Sequence, residues 1–330
     1  MTGTGAGTTD PWEEGAMLRY AIRRILLAVP LLFGLSVLSF GYVRLIPGDP
    51  ITAMLGVNSN PTVVAQLRER FGLDRPLLNQ YGDWLTGMVR GDLGVSFRSQ
   101  MPISTIIVDR IPATLQLAGA ALLVTLLIAI PAGVAAGMRP GSRLDSMITS
   151  ATLFGLAVPA FFLGSLLMLL LALKLRLVPS QGYVPFADDP AQSLRLTLLP
   201  ALTLGLAISP YLARLTRSAV VEVAQEPFVP FARAKGLAQR KISIGYVLRN
   251  ALPSLVAALG LTIASLIAGS IVVEALFNWP GMGRLVVGAV TERDYAMVQA
   301  LVLIYGALFI VVNLAGELAQ GLLDPRVRLS

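Results

Sequence analysis

The sequence predicts an all-α integral membrane protein with about six transmembrane helices and a small extracytoplasmic lobe between the first and second. Of its 330 residues, 55% are hydrophobic and only 14% are charged, whereas soluble domains carry about 25% charged residues. Six stretches lack Asp, Glu, Lys and Arg and are long enough, or nearly so, to cross about 30 Å of hydrocarbon as helices. They are residues 25–43, 111–138, 146–173, 196–213, 250–273 and 295–316.

The chain begins with a tail and a first membrane anchor. Residues 1–17, rich in Gly and Thr, are expected to form a disordered cytoplasmic tail. Residues 18–44 hold the first transmembrane helix. Its apolar run is too long for a signal peptide and no A-x-A-like cleavage site follows it, so it is interpreted as an uncleaved anchor.

The lobe and the membrane core follow. Residues 45–110 are punctuated by turn sequences, and apolar residues at helical spacing predict short helices over 62–71 and 77–89. Asn60 is expected to cap the first of these. The other five spans lie within residues 111–323, and residues 324–330 form a second cytoplasmic tail.

The distribution of basic residues predicts the orientation. Six spans place both termini on the same side of the membrane. With the termini inside, the short cytoplasmic segments carry most of the Lys and Arg, whereas the two short outer loops carry few. The positive-inside rule therefore predicts a protein of the cell (cytoplasmic) membrane with both termini in the cytoplasm. The net charge of +7 is explained by this retention rather than by a nucleic-acid partner.

The residue types on which many enzymes rely are missing. The chain has no cysteine and no histidine, which excludes disulfides, thiolate nucleophiles, Cys or His zinc sites and histidine acid–base chemistry. It also lacks a G-x-x-x-x-G-K-[ST] phosphate loop. A membrane-embedded enzyme would need a nucleophile with its base, or metal ligands, at mid-span, and a secondary transporter would usually need ionisable groups or broken inverted repeats. Neither pattern is evident.

A few polar and aromatic residues outside the apolar runs invite a functional interpretation. Asp49 and Asp92 each lie beside glycine in a turn, so capping of local backbone donors is favoured over an acid–base pair. Glu274 ends the fifth span and is either a functional ionisable group or a structural contact to the outer loop. Trp279, within a Pro-Gly turn, is expected to anchor the membrane interface.

The most informative cytoplasmic stretch, here called the coupling segment, is residues 214–250, between the fourth and fifth spans. Two short amphipathic pieces flank Gly236, which could end the first helix in a left-handed conformation. Ala232 and Ala234 are small enough to let a partner surface approach closely. On composition alone, an equally favoured alternative is that both pieces lie on lipid headgroups.

The motif Ala232-Arg233-Ala234-Lys235-Gly236, followed by Arg249-Asn250-Ala251-Leu252-Pro253, resembles the coupling loop of binding-protein-dependent ABC importer permeases. Within that family, the dipeptide and oligopeptide permeases are the most similar branch. Further short motifs match the branch in the same order, and together their spacing is specific although each alone is weak. They are Pro47-Gly48-Asp49-Pro50, Gly91-Asp92-Leu93-Gly94, Arg110-Ile111-Pro112-Ala113-Thr114-Leu115, Arg214-Leu215-Thr216-Arg217, Phe277-Asn278-Trp279-Pro280-Gly281-Met282-Gly283-Arg284 and Leu323-Asp324-Pro325-Arg326.

The chain departs from the family pattern at the start of the coupling loop. The family's Glu-Ala-Ala positions fall on Pro230, Phe231 and Ala232. Pro230, together with Pro227, is expected to break or kink the first coupling helix, because proline cannot donate the i→i−4 hydrogen bond. Contact with an ATPase would then begin near Phe231.

The resemblance implies a type I ABC importer permease fold and a transport subunit without catalytic residues, bound cofactor or metal. A second homologous permease would complete the pathway in the lipid. Two ATP-binding subunits would hold ATP and Mg, and an extracytoplasmic substrate-binding protein would deliver cargo. Dipeptides and oligopeptides are the implied cargo, with nickel complexes, glutathione or another small solute as alternatives.

The resemblance also assigns residues to two surfaces. The residues assigned to ATPase coupling are Phe231, Ala232, Arg233, Ala234, Lys235, Gly236, Leu237, Arg249 and Asn250. Those assigned to an extracytoplasmic gate or a binding-protein contact are Trp279, Pro280, Gly281 and Gly283.

Overall fold

The structure, a computed structural model, describes residues 11–45, 60–70, 72 and 74–323, and these are predominantly helical. In chain order the helices are α1 (Pro11–Leu45), α2 (Pro61–Arg70), α3 (Leu77–Val89), α4 (Ile103–Gly137), α5 (Arg143–Ala157), α6 (Ala160–Lys174), α7 (Pro190–Ala224), α8 (Phe228–Ala234), α9 (Gln239–Leu276), α10 (Met282–Thr291) and α11 (Tyr295–Leu323). The end of α6 and the Ile242–Leu248 part of α9 are π-helical.

The helices provide up to six membrane spans. Five of them are long and apolar enough to cross a membrane, namely α4, α7, α9, α11 and the Ile22–Tyr42 part of α1. α5 and α6 pass the same test only as a pair, and they are bent by 99° at the break between them. The prediction of an all-α membrane protein with about six spans is therefore confirmed.

The third span differs from the single helix predicted over 146–173. α5 ends at Ala157, and Val158 has extended backbone angles (φ −82°, ψ 120°) before Pro159. Proline disfavours helical angles in the residue that precedes it and lacks the N–H that would bond to the previous turn. The helix therefore stops at this point and restarts as α6, with Pro159 as its N-terminal cap residue.

α7 is the most deeply buried of the spanning helices, and it is much longer than the predicted span of 196–213. It runs unbroken for 35 residues, although Pro200 and Pro210 lie inside it. Asp189 caps its start by accepting a hydrogen bond from the Gln192 N–H at 3.0 Å. At about 1.5 Å per residue such a helix is longer than the hydrocarbon layer is thick, so α7 extends directly into the coupling segment.

Small residues allow the spanning helices to approach closely. A Cβ atom on Gly133 of α4 would lie 2.5 Å from the Thr216 side chain of α7, and one on Gly137 would lie 2.7 Å from that of Val220. The main apolar core is built around this helix pair and α9. Its largest members are Leu117, Leu199, Leu204, Leu266, Phe277 and Trp279.

The two helices predicted in the lobe are confirmed as α2 and α3. The Asn60 side chain accepts a hydrogen bond from the Thr62 N–H at 3.0 Å, which confirms the predicted cap. α3 is attached to α1, since the Tyr81 hydroxyl lies 2.7 Å from the hydroxyl of Ser36 and its ring is 5.1 Å from that of Phe40.

The remaining local expectations have mixed outcomes. The Asp92 carboxylate accepts a hydrogen bond from the Gly94 N–H at 2.9 Å, so the turn interpretation is confirmed there. Asp49, residues 1–10 of the expected N-terminal tail and the tail 324–330 lie outside the described residues. α1 begins at Pro11, so residues 11–17 are helical and the disorder expected for them is wrong.

Candidate functional site

The coupling segment forms a compact turn beneath the ends of the spanning helices. α7 ends at Ala224, and α8 begins at Phe228 after Pro227. Pro230 is the third residue of α8 and does not break it, contrary to the expectation. The first N–H groups of a helix have no partner within it, so a proline in the first turn removes no helical hydrogen bond.

One face of α8 is buried against its own chain. Val229 and Ala232 are fully or almost fully buried. They belong to a cluster formed with Met138 at the end of α4, Val220 of α7, and Ile242 and Val247 at the start of α9. Ala232 therefore seats the helix on the spanning bundle. Its side chain points inward, so its assignment to the ATPase contact stays a prediction in which Ala232 would act by positioning α8.

The opposite face of α8 is exposed. The Phe231 side chain is 60% exposed, and the Lys235 ammonium lies 4.5 Å from the centre of its ring, in the geometry of a cation–π contact. Arg233 and Ala234 are exposed as well. The face thus presents an aromatic ring, two cations and a small residue to whatever lies beneath the bundle.

Gly236, just after α8, has the predicted left-handed conformation, with φ +74°. Its N–H donates to the Arg233 carbonyl at 2.9 Å, and the N–H of Leu237, which is half-buried, donates to the Ala232 carbonyl at 3.3 Å. Such paired bonds satisfy carbonyls at a helix C-terminus.

The second coupling piece is not a separate helix, because it continues from Gln239 into the fifth span as α9. Arg249 and Asn250 are exposed on α9, beyond its π-helical part. The Asn250 side-chain amide donates to the Tyr246 carbonyl at 2.7 Å. Arg249 and Asn250 therefore lie on α9, whereas the other residues assigned to ATPase coupling lie on or just after α8.

An ion pair between a buried carboxylate and a half-buried guanidinium, at the same end of the bundle, escaped the sequence interpretation. The Asp145 carboxylate, in the first turn of α5, accepts two hydrogen bonds from the Arg217 guanidinium of α7, at 2.5 and 2.7 Å. It also accepts from the Gly141 N–H at 2.9 Å and from the Thr149 hydroxyl at 3.3 Å. The signal available in the sequence was Arg217 itself, which closes the Arg214–Arg217 motif.

The loop between α9 and α10 is folded inward, toward the start of α4. Trp279 is fully buried. Its indole N–H donates to the Ala113 carbonyl at 2.8 Å, and its ring meets Tyr183 edge to face at 4.9 Å. Burial raises the pKa of the Tyr183 hydroxyl, with a further contribution from the Asp188 carboxylate. The expectation that Trp279 anchors the lipid interface is wrong, because the ring closes the core.

Glu274, near the end of α9, fixes this loop through hydrogen bonds. Its buried carboxylate accepts hydrogen bonds from the Thr114 hydroxyl at 2.9 Å, the Ser270 hydroxyl at 3.1 Å and the Arg284 N–H at 3.0 Å. The Thr114 hydroxyl oxygen in turn accepts from the Met282 N–H at 2.8 Å. The interpretation of Glu274 as a structural contact to the outer loop is thereby confirmed.

The hydrogen-bonded network around Glu274 leaves no space for a side chain at Gly281 or Gly283. A Cβ atom on Gly281 would collide with the Glu274 carboxylate, and one on Gly283 would lie 2.5 Å from the Ile271 Cα. Pro280 is half-buried, and its carbonyl accepts from the Arg110 guanidinium at 3.4 Å. Trp279, Gly281 and Gly283 are therefore buried, so within this chain they fix the shape of the loop. Among the described residues, no group of three or more Asp and Glu could hold a metal ion.

The fold and these two surfaces define a multi-pass membrane permease, and the chain belongs to the family described as the binding-protein-dependent transport system inner membrane component. Residues 129–329 match that family, and residues 17–118 match its N-terminal companion. Two curated relatives are named as peptide permeases. The dipeptide transport system permease protein DppB of Escherichia coli K12 is 36% identical in an alignment that covers 94% of this chain and 99% of that protein.

The second relative is the oligopeptide transport system permease protein AppB of Bacillus subtilis (strain 168). It is 37% identical over 314 residues, with the same coverage of both chains. Among solved structures, the inward-facing MetNI methionine ABC transporter has a chain that matches with a TM-score of 0.55 and 20% identity, covering 66% of this chain and 96% of that one. This match supports the permease fold of an ABC importer.

Proposed function

We propose that this chain is the pathway-forming permease subunit of an ATP-driven importer of dipeptides or oligopeptides. The observation that carries the proposal is the two-faced helix α8. Its buried face is fixed to the ends of α4, α7 and α9, while Phe231 and its neighbours project from the bundle. A helix held in this way can pass the movement of a bound subunit to the spanning helices. A helix lying loosely on lipid could not.

Membership of the family supports the following partners. A second permease would complete the pathway, and two ATP-binding subunits holding ATP and Mg would dock on the exposed face of α8. An extracytoplasmic substrate-binding protein would deliver cargo on the opposite side. The exposed Arg284 and Asn278 surround the buried 279–283 loop, so a binding protein would touch the rim of this loop, and the loop itself would move as part of the outer gate.

The cargo is proposed from the names of the two relatives. Nickel complexes, glutathione and other small solutes remain the alternatives, because the binding protein contributes much of the selection in such systems. A competition series settles the choice. Labelled dipeptide uptake is measured with an excess of an unlabelled tripeptide, glutathione or a nickel chelate.

The experiment that tests the whole proposal is reconstitution of the chain with its genomic neighbours in vesicles. Uptake of a dipeptide mixture is expected only with ATP on the cytoplasmic face, and it should stop when the ATPase subunits are omitted. The purified chain alone is expected to neither bind nor hydrolyse ATP. Uptake driven by an ion gradient without ATP would instead indicate a secondary transporter and would contradict the proposal.

A further inference from the structure

α5 is attached to the rest of the described chain in an unusual way. Across Arg143–Ala157, Asp145 is the only buried residue. The apolar side chains of the helix point outward, with Met147 70% exposed and Phe154 74% exposed. Most helices that pack on a bundle bury an apolar stripe. At the inner end of α5, the one side chain buried in the bundle is instead the Asp145 carboxylate.

The socket for that carboxylate is built by α7 and by the turn that precedes α5. Asp145 receives both arms of the Arg217 guanidinium, the Gly141 N–H and the Thr149 hydroxyl. The Ser142 hydroxyl accepts from the Asp145 N–H at 3.2 Å and caps the helix. Bidentate arginine–carboxylate pairs fix orientation as well as distance, so this contact sets the direction in which α5 leaves the bundle.

Arg217 lies on the part of α7 that carries the coupling helix. One turn beyond it, Val220 belongs to the cluster that seats α8 and also meets Gly137 of α4. The only other close approach that glycine permits between α5 and α7 is Gly155 against Pro210, near the far end of α5. Among the described residues, the ion pair is therefore the only side-chain hydrogen bonding between the inner half of α5 and the coupling end of α7.

We propose that Asp145 and Arg217 are positioning residues that make the inner half of α5 move as one body with the coupling end of α7. The proposal rests on the proposed function, in which ATPase subunits displace α8. Displacement of α8 is carried to Val220 by apolar packing and then to α5 by the ion pair. Because α5 is hinged to α6 at Val158-Pro159, this movement changes the angle of the broken span.

An ion pair suits this role better than an apolar contact. Its geometry is directional, whereas an apolar contact is nearly as stable after a small slip. Removing Arg217 alone would leave the buried Asp145 carboxylate without compensation, which is destabilising, whereas removing Asp145 alone would leave Arg217, whose side chain is 32% exposed, without its partner. The informative variant therefore removes both charges together, as Asp145→Asn with Arg217→Gln, which retains amide groups for part of the hydrogen bonding.

The test uses the assembled transporter, with the paired permease, the ATPase subunits and the binding protein. The chain has no cysteine, so spin labels can be placed at Met147→Cys on α5 and Glu222→Cys on α7, with the partner subunits made cysteine-free. In the parent complex we expect a single narrow distance distribution that is unchanged by ATP and vanadate. In the doubly neutralised variant we expect a broad distribution that shifts when ATP is added.

A functional measurement accompanies the distances. Dipeptide uptake per ATP hydrolysed is expected to fall by about fivefold or more in the doubly neutralised variant, at the lower end of typical couplings between distant sites. The ATPase rate should remain within about twofold of the parent rate. Arg143→Gln is the matched control, since it removes an exposed cation from the same helical turn without touching the pair, and it should change neither readout.

The outcomes separate the two proposals. A narrow, ATP-independent distance in the doubly neutralised variant, or an unchanged ratio of uptake to hydrolysis, overturns the role of the ion pair. A parent complex that shows no ATP-dependent uptake overturns the proposed function, and the label distances still test whether the pair holds α5. If the doubly neutralised variant does not assemble, Asp145→Glu is measured instead, because it keeps the charge but lengthens the side chain. A shifted distance between the two labels is then expected. An unshifted distance would contradict the proposal.

Discussion

At the scale of single residues, the two functional surfaces depend on glycines for different physical reasons. Gly236 has open space around the position of a Cβ atom but a positive φ, so only its backbone conformation restricts substitution. Gly281 has no positive φ, but a side chain there would meet the Glu274 carboxylate. The first position should accept residues that tolerate left-handed angles, and the second should accept a side chain only if the Glu274 carboxylate moves aside.

For Gly236→Val we expect a loss of about 1–2 kcal/mol in local stability, because left-handed angles are unfavourable for a branched residue. Uptake should fall, and Gly236→Asn should recover most of it, because Asn adopts such angles more readily. Gly245→Ala, a helical glycine in the same segment with space for the methyl group, is the control. Equal uptake by the Val and Ala variants would contradict the backbone argument.

For Gly281→Ala we expect the outer loop to be displaced, because the methyl group and the Glu274 carboxylate cannot occupy the same space. Overpacking of this kind typically costs about 1–3 kcal/mol, measured as a lower midpoint of thermal unfolding in detergent. Gly288→Ala, in α10 with nothing within 4 Å of the added carbon, should leave the midpoint unchanged. A midpoint equal to that of the parent for Gly281→Ala would show that the network yields easily.

At the scale of elements, α8 has a buried side and an exposed side within two helical turns, and the exposed side is the proposed docking surface. The anchoring side is apolar and small, and the exposed side is aromatic and basic. The consequences of substitution should therefore divide by face. This division distinguishes a docking helix from one that lies on lipid headgroups, where the apolar side would face the membrane.

Phe231→Ala should leave thermal stability near that of the parent, because the ring is largely exposed, and should reduce co-purification of the ATPase subunits. Val229→Ala should have the opposite pattern, with a loss of roughly 1–2 kcal/mol from two buried methyl groups. Co-purification of the ATPase subunits should fall only to the extent that the lost packing lets α8 move away from the bundle. Pull-down yield and the unfolding midpoint are measured on the same preparations. Normal co-purification in Phe231→Ala would remove the ring from the interface.

At the scale of the whole molecule, the orientation that the charge distribution predicts can be tested with introduced cysteines. The parent chain contains none, so each label reports one position. Ser99→Cys in the lobe and Gln239→Cys at the start of α9 are both exposed. On intact cells an impermeant maleimide should label the first and label the second only after lysis. The reverse pattern would contradict the prediction that both termini are cytoplasmic.

The number of spans was predictable because charged side chains are costly in hydrocarbon, so membrane spans appear in the sequence as long uncharged runs. The Asn60 cap was predictable because it depends on adjacent residues only. The break at Pro159 was not, because Pro200 and Pro210 sit within an unbroken α7 and the sequence alone does not distinguish the cases. The burial of Trp279 and the pairing of Asp145 with Arg217 depend on contacts between distant parts of the chain, which hydropathy does not report.

The division of α8 into two faces also bears on how such transporters diversify. Substitutions at Phe231, Arg233 or Lys235 alter the outward surface without disturbing Val229 or Ala232, whose surroundings are set by the bundle. After a gene duplication, a copy could drift toward a different ATPase while its membrane domain stayed intact. If α8 docks the ATPase as proposed, exchanging these three exposed side chains between related permeases should exchange the ATPase subunit that each one binds.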